Sequence, residues 1–144
     1  MLLDVFKGEA IPIKGEHKEF IAIHKRKFGN VFDLCRVEYQ LVFKYVDAIV
    51  IIPSSAGSLV ELGMFVIWER LCRKTLILFN KDFDNPKEPS FIWDGPRIAY
   101  QTKGAFVEFV DYTQTDNAIS IVKEFVSKIR VNKYDNNLSK VVNK

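Results

Sequence analysis

Residues 46–65, VDAIVIIPSSAGSLVELGMF, combine residue types that suit chemistry on a sugar or a phosphate. Four small residues, Ser54 to Gly57, would let a ligand approach the backbone closely, and the free amides at a helix start attract oxygen-rich groups. Glu61 adds a carboxylate among apolar neighbours. Such a carboxylate suits displacement at the anomeric carbon of a sugar, as a nucleophile or as the stabiliser of an oxocarbenium ion.

Glu61 also has an interpretation that requires no function. Ser58 and Glu61 fit an S-x-x-E capping box, in which Ser58 caps the helix and Glu61 accepts a hydrogen bond from the Ser58 amide in the first turn. The residues support both interpretations equally, and a carboxylate can change partners when a substrate arrives. Gly63 costs about 1 kcal/mol relative to alanine inside a helix, which predicts that something packs closely against it.

The residues around this segment predict an alternation of strands and helices. Continuous β-branched or apolar runs are typical of strands buried on both faces, and apolar residues at helical spacing predict helices. The predicted strands are Ala48–Ile52, Thr75–Phe79 and Ala105–Val110, and the predicted helices begin at Asp33 and cover Leu59–Cys72 and Asn117–Ile129. This order predicts one Rossmann-like (flavodoxin-like) α/β domain with a parallel sheet flanked by helices, and a parallel pairing of the first two strands.

The position of the small residues in such a fold makes them the leading candidate site. Ligands of parallel α/β sheets bind beyond the carboxyl ends of the strands, and the loop Pro53–Ser58 follows the first predicted strand. Asp47 precedes the same strand and is a further candidate for substrate binding.

Two other segments carry predictions. Residues 80–104 contain three prolines, which predicts a long irregular stretch. Long loops in compact domains are often functional, so we expect Trp93, Gly95 and Pro96 to belong to a lid over the site. The polar segment 131–144 is predicted to be a loose tail, which leaves residues 1–130 as the domain.

The composition narrows the class of protein. The chain has 144 residues, 48% of them hydrophobic, and a net charge of +3, which suits one globular domain. Cys35 and Cys72 lie in no CxxC motif and beside no histidine, which predicts reduced cysteines and no zinc site. The apolar runs are too short to span a bilayer, and no signal peptide precedes them. We therefore expect a cytoplasmic protein without a metal, a cofactor or a membrane contact.

The pattern P-x-x-x-G-S-x-x-E-L-G, from Pro53 to Gly63, resembles that of the Rossmann-like nucleoside 2-deoxyribosyltransferase family and its SLOG-type relatives. The longer pattern D-x-I-V-x-I-P-x-S-x-G-S-x-x-E-L-G-x-F is similar in particular to the deoxyribosyltransferase-like effector domains encoded with bacterial retrons, which act in anti-phage defence. An S-F-I-x-x-G-P segment at residues 90–96 adds to the resemblance, which covers residues 33–129.

The resemblance implies an activity and a set of site residues. Glu61 would be the catalytic residue of an N-glycosidase or deoxyribosyltransferase that acts, without a cofactor, on a nucleotide, nucleoside or NAD-like molecule, as a toxin in anti-phage defence. The substrate-binding residues would be Ser54, Ser55, Gly57, Ser58 and Asp47. The alternative, from another class, is a non-catalytic nucleotide-binding or scaffold module of a defence complex.

The resemblance also bears on partners. Members of the family usually begin with a strand and a glycine-containing loop that help to hold the nucleoside, and residues 1–30 show no such unit. The missing unit would leave an exposed sheet edge or helix face, so we expect a homo-oligomer or a protein partner that completes the site, with residues 33–46 or the N-terminal segment in the contact. The partners implied by the resemblance include a retron reverse transcriptase and its msDNA.

Overall fold

The protein is described by a computed structural model that covers residues 34–84 and 91–142, with the isolated positions 10, 11, 13, 22 and 26. The chain divides into two compact units, Met1–Tyr45 and Val46–Lys144. Pro86, Pro89 and most of the N-terminal segment that we expect in a contact lie outside the described residues.

In the first unit, helix α1 spans Leu34–Tyr45 and confirms the helix predicted to begin at Asp33. Tyr39 and Phe43 lie one turn apart on this helix, and their ring centroids are 5.6 Å from each other. Such aromatic pairs at i and i+4 stabilise a helix locally.

The second unit alternates strands and helices. Its strands are β1 (Ile49–Ile51), β2 (Thr75–Asn80) and β3 (Phe106–Val110), and its helices are α2 (Ala56–Phe65), α3 (Glu69–Cys72), α4 (Phe91–Thr102) and α5 (Thr115–Val142), with a 3-10 turn at Lys81–Phe83. The fold is α/β, as the sequence predicts.

The three strands form a parallel sheet in the order β1-β2-β3, which confirms the predicted parallel pairing. Ile49 is paired with Thr75, and Ile77 with Val107. The central strand β2 is buried from Thr75 to Phe79, as its apolar sequence requires for a strand covered on both faces.

Side-chain hydrogen bonds to backbone carbonyls join α4 to α2 and β2 to α3. The Tyr100 hydroxyl on α4 donates to the Leu62 carbonyl on α2 at 3.0 Å, and the Thr75 hydroxyl on β2 donates to the Leu71 carbonyl on α3 at 2.7 Å. The Lys103 ammonium donates to the Val66 carbonyl at 2.5 Å. A cation at this position stabilises the carboxyl end of α2, because it interacts favourably with the helix dipole. The single helix predicted over residues 59–72 is therefore wrong, because the chain turns between α2 and α3 at this capped carbonyl.

Helix α5 packs against the sheet through its first half. Val122 and Phe125 are buried, and the Phe125 ring meets the Phe106 ring edge-on at 5.3 Å. Phe109, three residues further along β3, stacks instead on Phe79 at 5.7 Å. Because side chains three apart in a strand point to opposite faces, α5 covers the face of the sheet opposite to that of Phe109.

The irregular stretch predicted for residues 80–104 is wrong, because helix α4 occupies Phe91–Thr102. Pro96 lies inside this helix and has no amide to donate to the preceding turn. Tyr100, one turn later, is fully buried and bonded to α2, so tertiary packing stabilises a helix that the proline alone would disfavour.

The loose tail predicted for residues 131–144 is also wrong as far as Val142, because α5 continues to that residue. Residues 130–142 contain neither glycine nor proline, and adding residues to an existing helix avoids the cost of a new nucleus. The domain boundary at residue 130 stays a prediction. Within the described parts of the chain, no helix has the length and apolarity needed to cross a membrane.

The Tyr100 hydrogen bond generates a prediction about stability. Tyr100→Phe should lower the free energy of unfolding by about 1 kcal/mol, because it leaves the buried Leu62 carbonyl without this donor. Urea denaturation measures the change. Tyr45→Phe, at an exposed tyrosine, is the matched control and should have no comparable effect. Equal effects of the two substitutions would contradict the role given to the bond.

Candidate functional site

The candidate site lies at the carboxyl edge of the sheet. Strand β1 ends at Ile51, and the chain passes through Pro53 and two serines into helix α2. Ser54, Ser55 and Gly57 are exposed, so the loop is open to a ligand from solvent. The structure thus places the small residues of the loop where ligands of parallel sheets bind.

The start of α2 is fixed by two serines that bond to each other's backbone. Ser55 is the N-cap, and its hydroxyl oxygen accepts from the Ser58 amide at 3.3 Å. The Ser58 hydroxyl oxygen accepts in return from the Ser55 amide at 3.0 Å and from the Ser54 amide at 3.1 Å. This reciprocal pattern is a capping box in which serine takes the place usually held by glutamate.

The predicted box of Ser58 and Glu61 is therefore wrong. The helix begins one turn earlier than expected, so Ser58 is the third helical residue and Glu61 lies beyond the first turn, which contains no acidic residue. The S-x-x-E spacing at Ser58 competes with an S-x-x-S spacing at Ser55, and the structure forms the capping box at Ser55. Glu61 therefore does not complete the capping box of this helix.

Glu61 is half-buried on the part of α2 that contacts α4. The next residue, Leu62, is buried and its carbonyl binds the Tyr100 hydroxyl. Burial, with smaller contributions from Cys72 and Glu61, raises the pKa of Tyr100 far above its ordinary value. Glu61 therefore lies close enough to Tyr100 to interact with it electrostatically. The Tyr100 hydroxyl stays protonated and donates its hydrogen bond to the Leu62 carbonyl.

Two backbone amides beside Glu61 are open to a ligand. In the part of the chain that the structure describes, no hydrogen-bond acceptor is present for the amides of Ala56 and Gly57. A Cβ atom at Gly57 would meet only the Ser55 hydroxyl oxygen, at 3.9 Å, so the space above this glycine is open. Glu61 follows Gly57 by four residues and lies on the same helix face, and helical side chains lean toward the N-terminus.

The hydroxyls of the loop have partners within the loop itself. Ser58 donates to the Ser55 carbonyl at 2.9 Å, and Ser54 donates weakly to the Ile52 carbonyl at 3.4 Å. These serines hold the loop in shape, and the amides of Ala56 and Gly57 are the loop groups open to a ligand.

The close packing predicted at Gly63 is wrong. A Cβ atom at this position would meet nothing within 4 Å among the described residues, and Gly63 is exposed. Trp68, an exposed aromatic predicted to lie in the same helix, is instead the N-cap of α3. Nothing in the described structure explains the glycine.

Asp47 is not brought together with the serine loop. It precedes the amino end of β1, whereas the loop follows the carboxyl end. Both of its carboxylate oxygens lie 2.8 Å from the Lys133 ammonium on α5. The structure therefore gives Asp47 a partner on α5, and its predicted role in substrate binding has no geometric support.

The residues predicted to form a lid lie on helix α4. Trp93, Gly95 and Pro96 all fall within Phe91–Thr102. Gly95 is exposed, and a Cβ atom at this position would meet no described neighbour within 4 Å. A helix tied to α2 through Tyr100 does not fold over the site as a loop would. The lid function stays a prediction that this geometry does not favour.

Sequence reasoning missed an ionic cluster at the same edge of the sheet. Asp111 follows β3, and its carboxylate accepts from the Lys81 ammonium, from the Thr113 hydroxyl at 2.6 Å and from the Thr113 amide at 2.9 Å. These bonds, that of Lys81 first, lower the pKa of Asp111 to about 2. Only the parallel pairing brings Lys81 and Asp111 together, because no local pattern links residues thirty positions apart.

A search of the described residues finds no group of three histidine, cysteine, aspartate or glutamate side chains placed to hold a metal ion. Cys72 is buried, and burial raises the pKa of its thiol. The described groups near the carboxyl edge of the sheet include the Glu61 carboxylate, the open amides and the Lys81–Asp111 pair.

A comparison with protein families identifies a family that matches most of the chain. The family described as STM3845 retron effector protein matches residues 16–144, which include the sheet, the serine loop and Glu61. No curated protein and no solved structure matches the chain. The match confirms the resemblance to retron effectors, whereas the resemblance to nucleoside deoxyribosyltransferases stays a prediction.

The capping box predicts that stability depends on Ser55 more than on Ser54. Ser55→Ala should lower the free energy of unfolding by about 1 kcal/mol, because the Ser58 amide loses its acceptor. Ser54→Ala in the same loop is the control and should change it much less. Thermal or urea unfolding gives both values, and an insensitive Ser55→Ala variant would show that the cap lies elsewhere.

The Asp111 cluster predicts a dependence of stability on pH. Because the pKa of Asp111 is lower in the folded protein than the value of about 3.9 in unfolded chains, its stabilisation is present above about pH 4 and is lost as the pH falls toward 2. The difference in unfolding free energy between wild type and Asp111→Asn should therefore shrink over this range. Lys81→Gln should weaken the same dependence, since Lys81 contributes most to the lowered pKa. A difference that stays constant from pH 6 to 2 would rule the cluster out as its source.

Proposed function

The chain belongs to the STM3845 family of retron effector proteins, and on that premise we propose that it is an anti-phage effector enzyme. The proposed reaction is cleavage of the N-glycosidic bond of a nucleotide, nucleoside or NAD-like molecule, by hydrolysis or by transfer to another base. The observation that carries the proposal is the position of Glu61, a half-buried carboxylate on α2 beyond the first turn, whose capping box is formed by Ser55 and Ser58.

The proposed chemistry uses Glu61 at the C1′ atom of the sugar. As nucleophile, a Glu61 oxygen forms a bond to C1′ while the bond from C1′ to the base nitrogen breaks, and the base leaves with its electron pair and takes a proton from solvent. Water or an incoming base then displaces the carboxylate from C1′ and restores Glu61. If the reaction is dissociative, the same carboxylate stabilises the oxocarbenium ion until water adds.

The open amides have a role in the same proposal. Ala56 and Gly57 would donate hydrogen bonds to oxygens of the sugar or of a phosphate, with the helix dipole favouring negative charge at this end of α2. Ser55 and Ser58 would act indirectly, since their hydroxyls fix the loop that presents these amides. Substrate binding would thus depend on the backbone of the loop more than on its side chains.

One observation favours the alternative of a non-catalytic nucleotide-binding or scaffold module. The hydroxyls of Ser54, Ser55 and Ser58 are all engaged within the loop, so the loop is complete without a ligand. In that case Glu61 would have no role in a reaction, and the chain would act through a complex with the retron reverse transcriptase and its msDNA. We propose the same complex as the setting for the enzyme.

The proposal predicts the effect of one isosteric substitution. Glu61→Gln should leave thermal unfolding unchanged within about 1 kcal/mol and should reduce base release from a panel of nucleotides, deoxynucleosides and NAD by roughly a thousandfold or more, because the charge that meets C1′ is gone. The measurement is chromatography of released base, with growth inhibition on expression as a second readout.

The matched control is Glu69→Gln, which makes the same change on the adjacent helix α3 at an exposed residue paired with Arg73. It should keep full activity. Loss of activity in Glu61→Gln alone supports the enzyme, whereas toxicity that survives Glu61→Gln, without base release by the wild type, supports the non-catalytic module.

A further inference from the structure

Helix α5 carries two apolar stripes on opposite sides. The first stripe includes Val122 and Phe125 and is buried against the sheet. The second begins where the first ends, with Val131 and Tyr134, which are 59% and 67% exposed. Two large apolar side chains exposed one turn apart on one helix form a surface that solvent does not favour.

The sequence repeats the spacing of Val131 and Tyr134 as far as the end of the helix. Val131, Tyr134, Leu138 and Val141 follow one another at intervals of three, four and three residues. This is the a and d spacing of a heptad repeat, in which the apolar residues form a seam against another helix. We refer to Val131 and Tyr134 as the outer stripe, whose spacing Leu138 and Val141 continue in the sequence.

On the side of α5 away from Val131, an ion pair ties the helix to the segment before β1. Lys133, between Val131 and Tyr134 in the sequence, binds both carboxylate oxygens of Asp47 at 2.8 Å. A step of one residue turns a helix by about 100°, so Lys133 can hold α5 near the start of β1 while its neighbours stay exposed. The outer stripe is therefore presented on a supported part of the helix.

Two charged residues flank the outer stripe. With Val131 and Leu138 at a positions, Arg130 occupies a g position and Asp135 an e position, and both residues are exposed. In a parallel pair of helices, a g residue faces the e residue five positions later on the partner. Arg130 and Asp135 are separated by five positions and carry opposite charges.

We propose that the outer stripe is the seam of a parallel, two-helix contact between two copies of this chain. The contact buries Val131 and Tyr134 against the same residues of the second copy. It forms two symmetric ion pairs, each between Arg130 of one copy and Asp135 of the other. An antiparallel pairing would instead bring Arg130 near Arg130 and Asp135 near Asp135, which is unfavourable.

The chemistry of the stripe favours a second copy over another protein. The g and e charges complement each other within one sequence, so an identical helix meets the requirement without a dedicated partner. Because the seam spans about two heptads, it buries less than the roughly 1,200 Å² of a stable interface. The contact should therefore depend on concentration, and its formation should bring two carboxyl ends of α5 side by side.

The test measures association of the full-length chain by sedimentation equilibrium over a wide concentration range. Wild type should form a concentration-dependent dimer. The double variant Val131→Asp, Tyr134→Asp should be monomeric and should melt at the temperature of dilute, monomeric wild type, since both residues are exposed. Arg130→Asp and Asp135→Arg should each weaken the dimer by about tenfold, because each turns two attractive pairs into two repulsive ones.

Mixing the two charge variants is the decisive experiment. Arg130→Asp chains and Asp135→Arg chains should associate with each other about as strongly as wild type does with itself, and the double exchange on one chain should restore self-association. A monomeric wild type, a dimer unaffected by Val131→Asp and Tyr134→Asp, or single charge variants that associate as wild type would each overturn the proposal. Association that persists unchanged in these variants would place the interface elsewhere on the chain.

Discussion

The hydrogen bonds between Ser55 and Ser58 determine how the rest of the site is arranged. They end the segment after β1, start α2 at Ala56 and leave the amides of Ala56 and Gly57 open at the carboxyl edge of the sheet. Since every position on a helix follows from its first residue, the same bonds place Glu61 one turn above Gly57. A start one turn later would have made Glu61 a capping residue, and the site would have consisted of a helix end alone.

Local sequence predicts where the strands lie, but it does not predict where the helices begin and end. The run of β2 from Leu76 to Phe79 is apolar and buried on both faces, which leaves few alternatives to a strand. In β1, Val50 is exposed, and β3 contains Glu108, so these two strands follow from their β-branched and aromatic residues and not from complete burial. The start of α2 was misplaced because Ser55 and Ser58 both precede a residue that can complete a capping box three positions later, and sequence alone does not choose between them. The partner of Asp47 is equally hidden from local sequence, since Lys133 is separated from it by 86 residues.

Helix α4 shows how a contact between residues far apart in the sequence overrules a local signal, and α5 shows how an existing helix extends through polar residues. Pro96 predicts a break, yet the buried Tyr100 hydroxyl reaches α2 and holds the segment as a helix. The polar residues after Ile129 predict a tail, yet α5 extends to Val142, and its outer stripe is visible only when the spacing is read in a continuous helix. Apolar residues at regular spacing can face either the core or a second helix, and periodicity does not tell the two apart. The exposure of Val131 and Tyr134 shows that these two residues do not face the core.

The central claim is that the Glu61 carboxylate acts on a substrate above Gly57. Chemical rescue tests this most directly, because Glu61→Ala removes the carboxylate and leaves room for a small one beside an open glycine. Base release by Glu61→Ala should be very slow and should rise with the concentration of added formate, while Glu69→Ala should be active and indifferent to formate. Base release by Glu61→Ala at the wild-type rate without formate would contradict the claim.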